Sequence, residues 1–173
     1  SGALGGAGLV VRGWAVPIGV VRRGIAMRAG DPEPKIGTAA ELKSALAAAD
    51  GIYFPDPRLA TAGIHFARVL SSLGIAVEGN PQLRTYPNGA TAMRELAAST
   101  LAHPIGCTQV TEILNTPGAR LVGLLPGEFE LATVYTAAVA SKAAHPDAAR
   151  KLTAMLVADA AGPHRDRLGF EAR

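Results

Sequence analysis

Short apolar runs alternate with amphipathic, alanine-rich stretches along nearly the whole chain, and this alternation restricts the possible folds most strongly. Ile52-Tyr53-Phe54, set between Asp50-Gly51 and Asp56-Pro57, has the length and apolar character of a short buried strand. In residues 63–73, Phe66, Val69, Leu70 and Leu73 share one helical face, and Gly74 stands where a C-cap belongs. Thr38-Ala39-Ala40-Glu41 has capping-box spacing, and Leu42, Ala45, Leu46 and Ala49 follow at helical intervals. That pattern predicts a helix over 38–49. The same reading gives strands over 20–29, 83–86, 103–107, 120–124 and 131–140. It gives helices over 90–101, 108–114, 148–157 and 160–168, with Pro146 at an N1 position where its missing N–H costs nothing. Strand and helix alternate throughout, which predicts βαβ units and a mostly parallel sheet.

Composition closes off other classes. A chain of 173 residues suits one domain or two small lobes, and 49% hydrophobic against 18% charged residues excludes intrinsic disorder. No run approaches the roughly 18 apolar residues of a membrane-spanning helix. A single cysteine, Cys107, allows neither an internal disulfide nor a CxxC motif. The net charge is +3, the basic residues are scattered apart from Arg22-Arg23 and Arg165/Arg167, and only 5% of residues are aromatic. That pattern offers no stacking platform and gives no nucleic-acid partner.

Two segments share a chemical logic. Ala60-Thr61-Ala62-Gly63-Ile64 and Asn88-Gly89-Ala90-Thr91 each join a predicted strand to a helix with small residues. In open α/β sheets, ligands bind beyond the carboxyl ends of strands, where helix N-termini present free N–H groups that favour anions. Small residues at such turns also simply cap helices. Tyr135 lies in the middle of the last strand, where it either covers the sheet or offers a hydroxyl. Asp56 beside Pro57 has the character of a turn residue. The four histidines have no convergent ligand spacing. His103-x-x-x-Cys107 is the nearest approach to a metal pair, and a core Cys with a turn His accounts for it as well. No GxSxG elbow, HExxH or GxxxxGK[ST] is present, and Glu112, Glu128 and Glu130 have no evident partner. The residues assemble no catalytic constellation and imply no cofactor.

Taken in order, certain segments resemble the type II periplasmic substrate-binding proteins of ABC transporters, in the molybdate-binding-protein-like group. The carrying segments are residues 1–30, DPRLATAGIHFARVLSSLGI from Asp56, HPIGCTQVTEIL from His103 and LVGLLPGEFELATVYTAAVA from Leu121. The ending HPDAARKLTAMLVADAAGPHRDRLGFE looks like the family's terminal helix pair. The resemblance implies an α/β fold with a parallel-rich sheet flanked by helices, in two lobes. It implies that residues 1–24 are a remnant of lobe 1, that 25–134 form lobe 2, and that 135–173 return to pack on lobe 1. The chain is expected to start after lobe 1's first βαβ stretch, leaving lobe 1 incomplete and open to homodimer formation.

The resemblance also implies a function, the binding of a small oxyanion or other small polar solute for delivery to an ABC transporter membrane permease. On that view Ala62 and Thr91 supply backbone N–H donors, with Thr61, Gly63 and Ala90 beside them, and Tyr135 supplies its hydroxyl. Thr136 stands where the molybdate binders carry Pro, and Ile105-Gly106-Cys107-Thr108-Gln109 departs from them too, so molybdate is one candidate among several. Alternatives on the same fold are an organic-acid binder, an isomerase using Tyr135 or Asp56, and a sensing lobe. The family is usually exported, although no export signal is visible in the opening Ser1-Gly2 segment and a cytoplasmic relative would look the same.

Overall fold

The computed structural model describes residues 8–172. The chain forms two compact units, Arg22–Ala132 in one, and the described residues before Arg22 and after Ala132 in the other. Each is described separately.

The larger unit contains the end of strand β1 (Val10–Arg28), helix α1 (Ala39–Ala48), β2 (Gly51–Pro55), α2 (Thr61–Ser72), β3 (Leu83–Tyr86) and α3 (Gly89–Ala97). It continues through β4 (Pro104–Gln109), α4 (Val110–Leu114), β5 (Ala119–Leu124) and a 3-10 turn at Gly127–Phe129. Strand order is β3-β2-β4-β1-β5. β2 runs parallel to β3 and to β4, as the alternation predicts. β1 instead runs antiparallel to both β4 and β5. Hydrophobic periodicity fixes which residues share a face but not the direction in which a strand enters, so this reversal was not legible.

Side-chain alternation sorts the core onto the two faces of the sheet. Ile25, Ile52, Phe54 and Cys107 point to one face, where Leu42 and Leu46 of α1 and Phe66, Val69 and Leu70 of α2 cover them. Ala26 and Tyr53 point to the other, where Met93 and Leu96 of α3 and Ile113 of α4 pack. Helices on both faces explain why all of β2 is buried. Phe54 and Phe66 meet edge to face with centroids 5.3 Å apart.

Local chemistry sets the element ends. Thr38 Oγ1 accepts from the Glu41 N–H at 3.2 Å and starts α1. Gly74 follows α2 at φ 75°, a conformation that costs a residue with a Cβ. The third helix stops at Ala97 rather than Leu101, and Arg28 Nη1 donates to the carbonyls of Ser99 (2.6 Å) and Leu101 (3.0 Å) just beyond it.

The other unit contains the first part of β1, β6 (Ala132–Ala140), α5 (Pro146–Val157), a 3-10 turn at Asp159–Ala161 and α6 (Gly162–Arg167). β6 pairs with β1. β1 begins ten residues earlier than the strand read from sequence, at Val10 rather than Val20. It carries Pro17 and Gly19, residues depleted from strands, which masked it. Gly19 has a packing reason, since a Cβ there would lie 2.9 Å from the Glu171 carbonyl oxygen, beside the Val20–Glu171 bridge. The Arg150 guanidinium stacks 4.8 Å over the Trp14 ring.

Helix α2 sits unusually close to the end of β2. A Cβ on Gly63 would lie 2.2 Å from the carbonyl oxygens of both Pro55 and Asp56. Backbone atoms cannot swing aside as a flexible side chain can. Gly63→Ala should therefore cost about 1–3 kcal/mol, the usual cost of overpacking. Phe66→Ala should cost about 3–5 kcal/mol, as expected for a fully buried aromatic. Urea denaturation of both variants checks these values.

Candidate functional site

The parallel pairing of β2 with β3 brings two strand-to-helix turns to one end of the sheet. Pro55 pairs with Tyr86, and the Asp56 N–H donates to the Tyr86 carbonyl at 2.7 Å, so both strands end level. Helices α2 and α3 begin just past that line. Thr61, Ala62 and Gly63 open α2, and Ala90 and Thr91 lie in the first turn of α3.

The two helix ends differ in what occupies their donors. At α2 the cap is Ala60, whose side chain cannot accept a hydrogen bond, and the first helical bond of this turn runs from the Ile64 N–H to the Ala60 carbonyl at 2.8 Å. The Thr61, Ala62 and Gly63 N–H groups precede that bond and belong to the unsatisfied set of a helix N-terminus. Ala62 and Gly63 are buried in the helix-strand packing. Asp56 supports the turn from outside, because its Oδ1 accepts from the N–H groups of Arg58 (2.7 Å) and Leu59 (3.0 Å). The Arg58 N–H bond holds this exposed carboxyl below its ordinary pKa. Asp56 is thus a turn former, and its lowered pKa makes it a weak proton acceptor.

At α3 the donors are engaged from within. Asn88 is the N-cap, and its Oδ1 accepts from the Thr91 N–H at 2.8 Å. The expectation that Thr91 offers a free backbone donor therefore needs correction, since that N–H already has a partner. The signal was present in the sequence, because Asn directly before a helix is among the preferred N-caps. A second group crowds the same end. Thr108 Oγ1 donates to Glu112 Oε2, and a Cβ on Gly89 would lie 2.0 Å from that carboxylate oxygen and 2.1 Å from Thr108 Oγ1. Glu112, read as a carboxylate without a partner, is paired with Thr108 across the β4–α4 junction. Glu130 likewise pairs with Arg22.

Tyr135 belongs to the other unit. Its ring meets Phe170 edge to face with centroids 5.6 Å apart, and about a third of the residue is exposed. The His103/Cys107 pairing does not form. His103 is exposed ahead of β4, Cys107 is fully buried, and burial pushes the thiol pKa up, with Arg23 opposing. His65 Nε2 lies 2.8 Å from the Phe129 carbonyl, to which it donates in the matching tautomer. No group of three or more His, Cys, Asp or Glu able to hold a metal occurs among the described residues. No helix among them is long and apolar enough to cross a membrane.

A groove of about 1140 Å³ runs along the outer side of α2 past Arg58, Arg68 and Ser71 to Thr85 of β3. Neither Ala62 nor Thr91 lines it.

The architecture matches solved binding proteins. The substrate-binding domain of a molybdenum ABC transporter from Clostridium difficile superposes with TM-score 0.72 at 13% identity, covering 98% of this chain and 71% of that one. The periplasmic molybdate-binding protein of Azotobacter vinelandii gives 0.70 at 14% identity, covering 98% and 73%. These likenesses show the fold of type II periplasmic binding proteins, an α/β sheet with helices on its faces. Among curated proteins, an aconitate isomerase from a Pseudomonas species is 29% identical over 149 residues, or 84% of this chain. The chain spans 53% of that relative's length. The family described as bacterial extracellular solute-binding protein matches residues 3–171, and the chain belongs to that family.

Proposed function

We propose that this chain is part of an exported solute-binding protein for a small anion, either an oxyanion or a small carboxylate, and that it serves an ABC-type uptake system. One observation carries the reading. The α2 N-terminus lies beyond the carboxyl end of a parallel strand, has no side-chain cap, and is built from Thr61, Ala62 and the space-limited Gly63. Such an end favours anions through its free N–H groups and the helix dipole, without a buried counter-charge. The family resemblance adds Tyr135 as a hydroxyl donor. The α3 end has a lesser role, with Ala90 as its remaining candidate, because Asn88 holds the Thr91 N–H and the Glu112 carboxylate stands beside Gly89.

Thermal-shift titration with molybdate, sulfate, phosphate and malonate tests the reading. A ligand selective for the folded state stabilises it by about 2.7 kcal/mol at one hundred times its Kd, so at least one of these anions should raise Tm. If none does, up to concentrations that perturb unrelated proteins, the anion reading is wrong for this chain. For a responding anion, Tyr135→Phe should weaken binding by about 1 kcal/mol, the scale of one hydrogen bond, in calorimetry. Asn88→Ala should cost about 1 kcal/mol of helix stability and leave anion affinity unchanged. Tighter binding in that variant would instead give the Thr91 N–H a direct role.

A second reading rests on the relative named as an aconitate isomerase. It favours a carboxylate ligand and leaves open chemistry on it. We expect binding without turnover, because Asp56 is committed to its turn. Proton NMR of aconitate incubated with the chain should show an unchanged isomer ratio, and interconversion that Tyr135→Phe abolishes would establish the enzyme instead.

A further inference from the structure

Between α3 and α4 two opposite charges line one surface pocket without meeting. The pocket holds about 350 Å³. Ala90 and Arg94 of α3 form one wall, and Glu112, Asn115, Thr116 and Pro117 form the other. Arg94 and Glu112 enter no ion pair with each other or with any other described residue.

Each charge is held in place by the fold. The Glu112 carboxylate is fixed through Oε2, which accepts from Thr108 Oγ1 and occupies the space that a Cβ on Gly89 would need. Its other oxygen, Oε1, accepts no hydrogen bond among the described residues and is not buried. One turn further, the Thr116 hydroxyl donates to the Glu112 carbonyl at 2.7 Å and ties down the end of α4. The Arg94 side chain reaches back along α3, and its Nη2 donates to Thr91 Oγ1 at 3.0 Å. Arg94 is exposed, and its other N–H groups have no acceptor among the described residues. Both charged heads thus lie over the first turn of α3, the carboxylate at Gly89 and the guanidinium at Thr91. Ala90 stands between those two positions and puts only a methyl group into the pocket.

This arrangement decides which charges can bind. A simple anion on Arg94 is repelled by Glu112, and a simple cation on Glu112 is repelled by Arg94. A molecule that carries both charges gains both attractions. The volume is at the low end for ligand pockets, which restricts the occupant to a few heavy atoms. We propose that the α3–α4 pocket is a site for a small zwitterion, with its ammonium group at Glu112 Oε1 and its carboxylate on Arg94. The N–H groups of α2 take no part, so the site stands or falls independently of the anion reading.

γ-Aminobutyrate and β-alanine serve as probes, with butyrate and propylamine as the matching single charges. The amide shifts of Ala90, Asn115 and Thr116 report this pocket, and those of Thr61, Ala62 and Gly63 report the α2 turn separately. At least one zwitterion should move the first set saturably at millimolar concentration. It should bind about fivefold more tightly than either single charge, the scale of one exposed charge pair. Arg94→Gln should remove the zwitterion's advantage over propylamine. Glu112→Gln should remove its advantage over butyrate and strengthen butyrate itself, a gain that misfolding cannot produce. Glutamine at 112 also keeps an oxygen for the Thr108 hydroxyl. Absence of a saturable shift with both zwitterions would overturn the proposal. So would equal responses to zwitterions and single charges, or a preference for the zwitterion that survives both substitutions.

Discussion

The carbonyl oxygens of Pro55 and Asp56 fill the space that a side chain on Gly63 would need, and much of the larger unit's arrangement depends on that close approach. It lets α2 start directly over the end of β2 rather than a side chain's width away. From that start the helix lays Phe66, Val69 and Leu70 onto Ile52 and Phe54, closing one face of the sheet. The same geometry leaves the first N–H groups of α2 beyond the strand ends, where no side chain caps them. Packing and the proposed anion contact thus share one turn, and a residue larger than glycine would disturb both.

The two helix ends on this edge are not equivalent, and the difference restricts what can bind. α3 satisfies its own first turn through Asn88 and has the Thr108–Glu112 pair beside Gly89. A carboxylate so placed already draws on the favourable field of that helix end and repels further negative charge. α2 has no comparable carboxylate in its first turn. Its neighbour Asp56 is spent on the Arg58 and Leu59 N–H groups. An anion is therefore better served at α2, by neutral backbone donors that bind charge without the desolvation cost of burying a cation.

Features governed by local chemistry could be read from the sequence. Thr38 and Glu41 announced the start of α1, Gly74 the end of α2, and Pro146 the first turn of α5, since capping and proline geometry act within a few residues. The apolar face of α2 was legible because Phe66, Val69, Leu70 and Leu73 are all buried at helical spacing. Features set by distant partners were hidden. The early start of β1 was masked by Gly19, whose reason for being glycine is Glu171, far along the chain. The antiparallel entry of β1 leaves no periodic trace. At the candidate site, the small residues of α2 could be read directly. The Asn88 cap that occupies the Thr91 N–H was legible as well, since Asn is a preferred N-cap, and Thr108 stands only four residues before Glu112, across the bend where the chain passes from β4 into α4.

On the proposed function, the first backbone N–H groups of α2 hold the anion. Amide chemical shifts recorded during titration with molybdate, sulfate and malonate test it most directly, because each N–H reports its own hydrogen bond. The Thr61, Ala62 and Gly63 amides should move most and saturate together, while the Thr91 amide, held by Asn88, should move little. Saturable binding that shifts the α3 amides and leaves those of α2 in place would contradict it.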